Sequence, residues 1–541
     1  MTIRHARHLD APGFDVPGTV VNSAGGASFA LDHWARLERF LILGSEKGSY
    51  YASERRLTIE NAVCVQACLN ADGVRAVDVI VAVSQDGRAP KNDPAIFALA
   101  LATTSADLAT RNAAYAALPR VCRTGTHLFQ FADAANALRG WGRGLRRAIG
   151  RWYRDQPLDA LALQAVKYKN RNGWSHRDLL RLSHPQLDAD DTGRRAAFDW
   201  ICGRQAAAGH VPGMLMAHDR LHGTREVGDV IEQIRTHGVP REAVPTEWLD
   251  NRSVWDALLV DMPMMAMIRN LNRMTVAGLL TPGAAAATYV QERLGNAAEL
   301  ASARVHPMSL LLAQATYASG RGMLGRLEWQ PVRQIVDALD RAFYLAFETV
   351  VPSNKSILLA IDVSGSMDMS RVAGSWLTAR QAAAAMALVT VATEPQTQCV
   401  AFTYAGSHLS NNGKVYGVNT GLHPLPLSPT QRLDDVVQQM KQFAFGGTDC
   451  ALPMLYALEH GLRVDAFVVY TDSETWAGHV HPVEALRRYR EATGIAARLV
   501  VVGMVSNGFT IADPDDPGMM DVVGFDTATP ALLSDFIAGR I

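Results

Sequence analysis

At Val351-Pro352 the hydrophobic pattern of this 541-residue chain changes kind. From residue 30 to about 345, apolar residues recur with the 3.6-residue spacing of helices, as at Leu145, Ala148, Ile149 and Trp152, and β-branched runs are few. Short turns punctuate the helices: NRNGW at 170–174, HPQL at 184–187 and TPG at 281–283. This is the punctuation of stacked helical hairpins. After Pro352 the run SILLAIDVSGSM ends in a polar turn, followed by a helical stretch from about Val372 to Thr393. Apolar runs at Cys399–Tyr404, Ala466–Tyr470 and Leu499–Met504 then alternate with helical segments at Leu433–Phe443, Ala451–Gly461 and Val483–Glu491. Such alternation predicts a doubly wound, mainly parallel sheet with ligands at the carboxyl ends of its strands. The expected organisation is an extended arm over 1–29, an all-helical unit over 30–350 and an α/β domain over 351–541.

The charge divides with the pattern. Residues 351–541 carry 12 Lys+Arg against 18 Asp+Glu, leaving 40 against 35 for the rest. The first part favours anions and the second cations. Six scattered cysteines, with no CxxC pair, argue against a zinc ribbon or disulfide scaffold and for a reducing compartment. The N-terminal stretch lacks the apolar core of an export signal, and the longest apolar run, near Ala382–Ala392, falls short of the roughly 20 residues that span a bilayer. A cytoplasmic location and no membrane segment are expected.

Asp362-Val363-Ser364-Gly365-Ser366 follows a buried-looking strand, so hard oxygen donors converge at the sheet's carboxyl edge. Thr448 and Asp472 occupy equivalent places after later elements. D-x-S-x-S alone also describes ordinary strand ends and helix caps; the separate Thr and Asp complete a metal-ion-dependent adhesion pattern. Oxygen donors in this number suit Mg²⁺, with Ser364, Ser366 and Thr448 as direct ligands and Asp362 and Asp472 acting directly or through water. A calcium hand starting at Asp362 fails, because Met367 stands at the turn glycine and Ala373 at the bidentate glutamate.

In GWGRGLRRAIGRWY from Gly140, Arg143, Arg147 and Arg151 fall four residues apart, opposite the apolar stripe. In KYKNRNGWSHRD, Lys167, Tyr168, Lys169 and Arg171 gather at a turn, and Ser175 with Asp178 forms a capping box that starts the next helix. Arg177, Arg181 and His184 are spaced by four and three, expected on one side of that helix and facing the same groove. Pairing of cations with a helix C-terminus explains one or two of these residues but not the whole set. Phosphates would find several donors there, with Tyr168, Trp174 and His184 available to stack bases. His218 and His222 lack the glutamate of a metalloprotease and read as a polar helix face. No P-loop, dinucleotide fingerprint or HExxH is present, and the hydroxyl-rich turn does not suit a two-metal nuclease, so binding without catalysis is expected.

The blocks GSEKGSYYASERRLTIENA at 44–62, KYKNRNGWSHRDLLRLSH at 167–184 and SNGFTIADPDDPGMMDVVGFDT at 506–527 closely resemble the Ro 60 kDa autoantigen family and its bacterial counterparts. CRTGTHLF at 122–129, MPMMAMIRNL at 262–271, ARVHP at 303–307 and HPVEALRRYR at 481–490 extend the resemblance over nearly the whole chain. It implies a HEAT-like helical ring, the TROVE module, closed by a von Willebrand factor A domain into a monomeric ring. It also implies Y RNA on the outer surface, single-stranded 3′ ends of misfolded noncoding RNA in the central hole, and RNA quality control, ribosomal RNA maturation or stress survival with an exoribonuclease such as polynucleotide phosphorylase. The Y RNA determinants match Lys167, Arg171 and His184. The departure lies between Pro185 and Trp255, where the family's lysine-rich vertebrate pattern is replaced by RRAAFDWICGRQAAAGHVPGM, implying altered outer-surface affinity. The family's metal turn often has Ala where Gly365 stands, a difference that removes no ligand. The alternative is a metal-dependent protein-adhesion scaffold with no primary RNA role.

Overall fold

The computed structural model describes residues 19–21, 27–29, 33–45, 49–51, 57–59, 62–86, 89–207, 209–323, 325–372, 375–403, 406–409, 415–419, 421–443, 448–472, 479–504, 511–513, 515–524 and 529–541. Within the expected arm, β1 (Thr19–Val21) and β2 (Ala27–Phe29) form an antiparallel pair, and β3 (Ser49–Tyr51) follows the first helix, His33–Leu43. From there to the helix Arg333–Leu345 the chain is almost wholly helical. Side-chain caps start many of its helices: Asp107 accepts from the amides of Ala109 and Thr110, and Asn251 and Asn296 do the same for their helices. Helices close in sequence pack together, as Val63–Asp86 does on Leu108–Val121 and Pro307–Ala318 on Arg333–Leu345. The first of these pairs needs Gly73, since a Cβ there would lie 2.0 Å from Thr110 Oγ1. At NRNGW the chain makes a small hairpin of β4 (Asn170–Arg171) and β5 (Trp174–Ser175), with Asn172 and Gly173 both at positive φ, the demand that an Asn-Gly turn meets.

Beyond Pro352 come β6 (Ser356–Asp362), β7 (Gln396–Phe402), the outlying pair β8 (Gly406–Leu409) and β9 (Val415–Asn419), β10 (Leu422–Pro424), β11 (Ala466–Thr471), β12 (Arg498–Gly503) and β13 (Met519–Val523). The main sheet runs β10-β7-β6-β11-β12-β13-β3, parallel throughout except for β10. Strand alternation splits its apolar residues into two cores. Leu358, Ala360, Phe467, Val469, Leu499 and Val501 face Met454, Leu486 and Tyr489. Ile357, Leu359, Ile361, Val468, Tyr470 and Val500 belong to a core continuous with the helical unit.

Two features differ from expectation. The helix expected from Val372 begins at Ala379, where Thr378 and Gln381 form a capping box; the preceding residues loop out, with Arg371 bridged to Thr378. Residues 351–541 do not complete the sheet, because Ser49–Tyr51 supplies its last strand, parallel to β13. Arg39, on the first helix, is buried in the same seam. It donates to the carbonyls of Met519, 3.1 Å, and Pro517, 3.3 Å, and lies over the Phe536 ring. Burial lowers its pKa to about 10, with the Arg498 charge adding to the fall and Asp516 opposing it. At the other end of the helical unit, Arg432 pairs with Asp340 and lies over Tyr344, whose hydroxyl accepts from the Leu433 amide. Both ends of the helical arc therefore meet the α/β domain, which closes the ring. No helix among the described residues is long and apolar enough to cross a membrane.

Asp521 on β13, the strand that receives β3, gives this seam a pH dependence. Burial pushes its carboxyl up to about 7, against the amides of Ala512 and Ile511 that donate to it. A carboxyl raised in the folded state contributes stability that is complete below its unfolded value near 4 and is lost as pH rises through 7. Asp521→Asn should flatten the stability profile between about pH 4 and 7, by on the order of 2 kcal/mol. Urea midpoints across that range check it; parallel profiles for the two proteins would contradict it.

Candidate metal centre and basic cleft

Strand β6 ends in Asp362, fully buried at the sheet's carboxyl edge. Its Oδ1 accepts from the Ser364 amide at 2.8 Å, and its Oδ2 from the hydroxyls of Thr448 at 3.1 Å and Thr471 at 2.9 Å. The Ser364 and Ser366 hydroxyls lie 3.0 Å apart. Asp472, directly after β11, accepts from Ser370 at 3.2 Å through Oδ2, while its Oδ1 is buried with no donor among the described residues. Burial raises the Asp362 carboxyl above its ordinary value, and the Asp472 charge adds to the rise; hydrogen bonds from Ser364 and Thr471 oppose it. The five residues Asp362, Ser364, Ser366, Thr448 and Asp472 thus share one edge.

This donor set fits a hard divalent cation. It is all oxygen, it leaves one buried carboxylate oxygen without a proton donor, and it holds two carboxylates whose repulsion a cation would relieve. Ser364 and Ser366 would hold Mg²⁺ through their hydroxyls, with Thr448 and the two aspartates completing the set. A Cβ at Gly365 would meet nothing within 4 Å, so alanine there disturbs no ligand. Residue typing missed Thr471 and Ser370, which tie the carboxylates, and Arg380. The Arg380 guanidinium is fully buried, pairs with Asp368 at 2.9 Å and donates to the carbonyl oxygens of Val363 and Ser364, holding the turn from beneath. A lone charge in the apolar run ARQAAAAMALV was the available signal.

The second site is built on the helix Arg143–Asp155. Leu145, Ala148, Ile149 and Trp152 are buried, which turns Arg143, Arg146, Arg147, Arg151 and Arg154 outward. Gly144 permits close packing on the preceding helices, since a Cβ there would be 2.5 Å from the Tyr115 ring. The five arginines line a cleft of about 710 Å³ with Arg111, Arg139, Ser183, His184, Pro185 and Gln186, and no carboxylate is among the described residues that line it. Beneath it, Tyr153 donates to His176 Nδ1 at 2.8 Å, because His176 Nε2 donates to the Gln164 carbonyl. Burial lowers the His176 pKa to about 4, so the ring stays neutral and acts as a structural tie.

The cleft gathers Arg143, Arg147 and His184, together with Arg151. His184 reaches it because it leaves its helix in the left-handed conformation, φ 45°. Arg177 and Arg181 stay exposed on that helix but do not line the cleft; their charges act on Cys202 instead, so the expected shared groove for the three is not formed. Lys167 lies over the Tyr168 ring, Lys169 acts on His218 and Arg171 sits on β4, an adjoining surface outside the cleft. Trp174 packs against Trp141 with ring centroids 5.5 Å apart and points its Nε1 at Asp133, 3.4 Å away, so it braces the hairpin against the start of the arginine helix rather than offering a stacking face. Arg111 and Arg139 were missed because they come from other helices, and Arg146 and Arg154 because they fall outside the four-residue spacing.

Two protein families match the chain. The one described as the Ro60 vWA domain covers residues 356–537, and the one described as the TROVE domain covers 20–208 and 235–316. The chain is 40% identical over 527 residues to the RNA-binding protein RO60 of Deinococcus radiodurans, spanning 96% of each. It is 36% identical over 603 aligned positions to the RNA-binding protein RO60 of Caenorhabditis elegans, spanning 97% of this chain and 91% of that one. The crystal structure of the Deinococcus radiodurans RO (RSR) protein matches with a TM-score of 0.86 at 39% identity, covering 94% of this chain and 100% of that one.

If the oxygen cluster holds Mg²⁺, the ion binds the folded state and raises the thermal midpoint by mass action, about 2.7 kcal/mol at a hundredfold excess over Kd. The double variant Ser364→Ala, Ser366→Ala should lose that rise. A wild-type midpoint indifferent to both Mg²⁺ and chelator would contradict the assignment.

Proposed function

The chain belongs to the Ro60 family, TROVE and vWA domains together, and on that premise we propose that it is an RNA-binding protein that acts without catalysis of its own. The observation that carries this reading is the cleft of seven arginines without a carboxylate among its described lining residues. Seven guanidiniums on one concave surface form a field suited to a polyanion, and each neutralised phosphate releases counterions, so affinity is steeply salt-dependent.

The RNA in this reading is a structured noncoding RNA of the Y RNA class, held on the outer surface by the arginine helix, His184 and the adjoining Lys167, Lys169 and Arg171, with Tyr168 alongside them. Single-stranded 3′ ends of misfolded RNA occupy the hole of the ring. The protein then presents such RNA to an exoribonuclease, polynucleotide phosphorylase being the expected type, in RNA quality control or maturation in the cytoplasm, as a monomeric ring. The relatives named as RNA-binding proteins support the RNA partner. Mg²⁺ at the oxygen cluster is part of the reading and leaves a coordination position for an acidic group. A second reading, adhesion to a protein through that ion, is favoured by Met369, 85% exposed at the end of the short helix Ser366–Met369 that begins at the metal turn.

The triple variant Lys167→Ala, Arg171→Ala, His184→Ala should bind a stem-loop RNA more weakly and reduce the slope of log affinity against log salt by roughly 2, with the thermal midpoint unchanged. Filter retention at several salt concentrations checks it. Unaltered affinity and slope in the triple variant would overturn the site.

A further inference from the structure

Two loops meet across the seam on the indole of Trp376. One comes from the helical unit, between the helices Pro307–Ala318 and Arg333–Leu345, and is pinned by a bridge between Arg321 and Glu328. The other follows the metal turn. It leaves at Ser370, whose hydroxyl donates to Asp472, and returns at Ala379, whose amide donates to the Ser370 carbonyl at 2.8 Å. Arg321 lies over the Trp376 ring at 4.6 Å and Arg371 over the same ring at 5.2 Å.

Both guanidiniums are exposed, and among the described residues neither has a carboxylate partner. Glu328, opposite Arg321 in the backbone bridge, makes no ion pair with it, and Asp368 near the second loop is committed to Arg380. Trp376 Nε1 is a buried donor with no acceptor among the described residues. Donors therefore exceed acceptors at this point of the seam. Arginine packed on an aromatic ring keeps its N–H edges free for bidentate contact with an oxyanion, and its conformational freedom is already spent. Two like charges beside one ring make the spot attractive to an anion.

We infer that Arg321, Arg371 and Trp376 form a phosphate clamp across the domain seam that takes the backbone of single-stranded RNA. The inference rests on the RNA-binding reading and names a site separate from the arginine-helix cleft. Arg326, exposed on the same loop as Arg321, is likewise without a carboxylate partner among the described residues. More than one cation at a site suits a chain of phosphates better than one carboxylate of a protein partner. Because the clamp draws one arginine from each domain, its ligand binds the closed ring, and Arg371 directly follows Ser370, the residue that ties Asp472 of the candidate metal site.

The test uses the full chain and two double variants, Arg321→Gln with Arg371→Gln and Arg321→Lys with Arg371→Lys. The probes are a labelled oligouridylate and a stem-loop RNA, both followed by fluorescence anisotropy over a salt series. The glutamine variant should bind oligouridylate roughly tenfold more weakly and lower its salt slope by about 1.4, while stem-loop affinity stays within about twofold. The lysine variant, which retains charge but not the planar stacking on the ring, should recover the slope but only part of the affinity. Unchanged oligouridylate affinity and slope in the glutamine variant, while the wild type binds both RNAs, would overturn the clamp and leave the RNA reading standing. Failure of the wild type to bind either RNA would overturn both. Weakened binding of an oligo-glutamate peptide with intact oligouridylate binding would make the site a protein site and overturn the clamp.

Discussion

The guanidinium of Arg39, buried between two domains, is the contact on which the closed architecture depends. Its hydrogen bonds go to main-chain carbonyls 478 and 480 positions away, and an aromatic ring of the last helix covers it. A charge taken out of water is costly unless hydrogen bonds compensate, and here the compensation comes only from the other domain. Removing β13 or the helix Thr529–Ile537 would leave that buried guanidinium without these partners. The added strand β3 and the apolar core shared by the helical unit and one sheet face act in the same direction. Helical arc and α/β domain thus share one core and one sheet.

Closure puts two complementary surfaces on one body. The arginine cleft has donors in excess and no carboxylate among its described lining residues, whereas the oxygen cluster has acceptors in excess, with a buried carboxylate oxygen that has no donor among the described residues. This is the charge division of the chain, slightly basic before Pro352 and acidic after it, resolved to individual atoms. A cation relieves the second surface and a polyanion the first. The Trp376 seam lies where the two domains meet.

What was legible in the sequence was chemistry confined to a few neighbouring residues. The Ser175 and Asp178 capping box forms as read, the Asn172-Gly173 turn follows from its residue types, and the buried stripe of the arginine helix falls where the 3.6-residue period puts it. The five oxygen donors also converge, because a strand that ends at the carboxyl edge of a parallel sheet fixes where its next residues lie. Contacts between distant segments were not legible. Ser49–Tyr51 is too short to announce a strand, Arg111 and Arg139 join the cleft from other helices, and the helix start at Ala379 is set by a capping box that the apolar period did not announce. His184 shows the limit of periodicity, since one left-handed residue moved it off the line with Arg177 and Arg181.

The central claim is that the cleft of the arginine helix is where this protein holds RNA in the cell. Crosslinking, followed by sequencing of the RNA that copurifies with the wild type and with an Arg143→Gln, Arg147→Gln, Arg151→Gln variant of equal abundance, tests it most directly. A discrete set of structured noncoding RNAs is expected on the wild type, depleted from the variant. The same RNAs in the same yield on both proteins would contradict it.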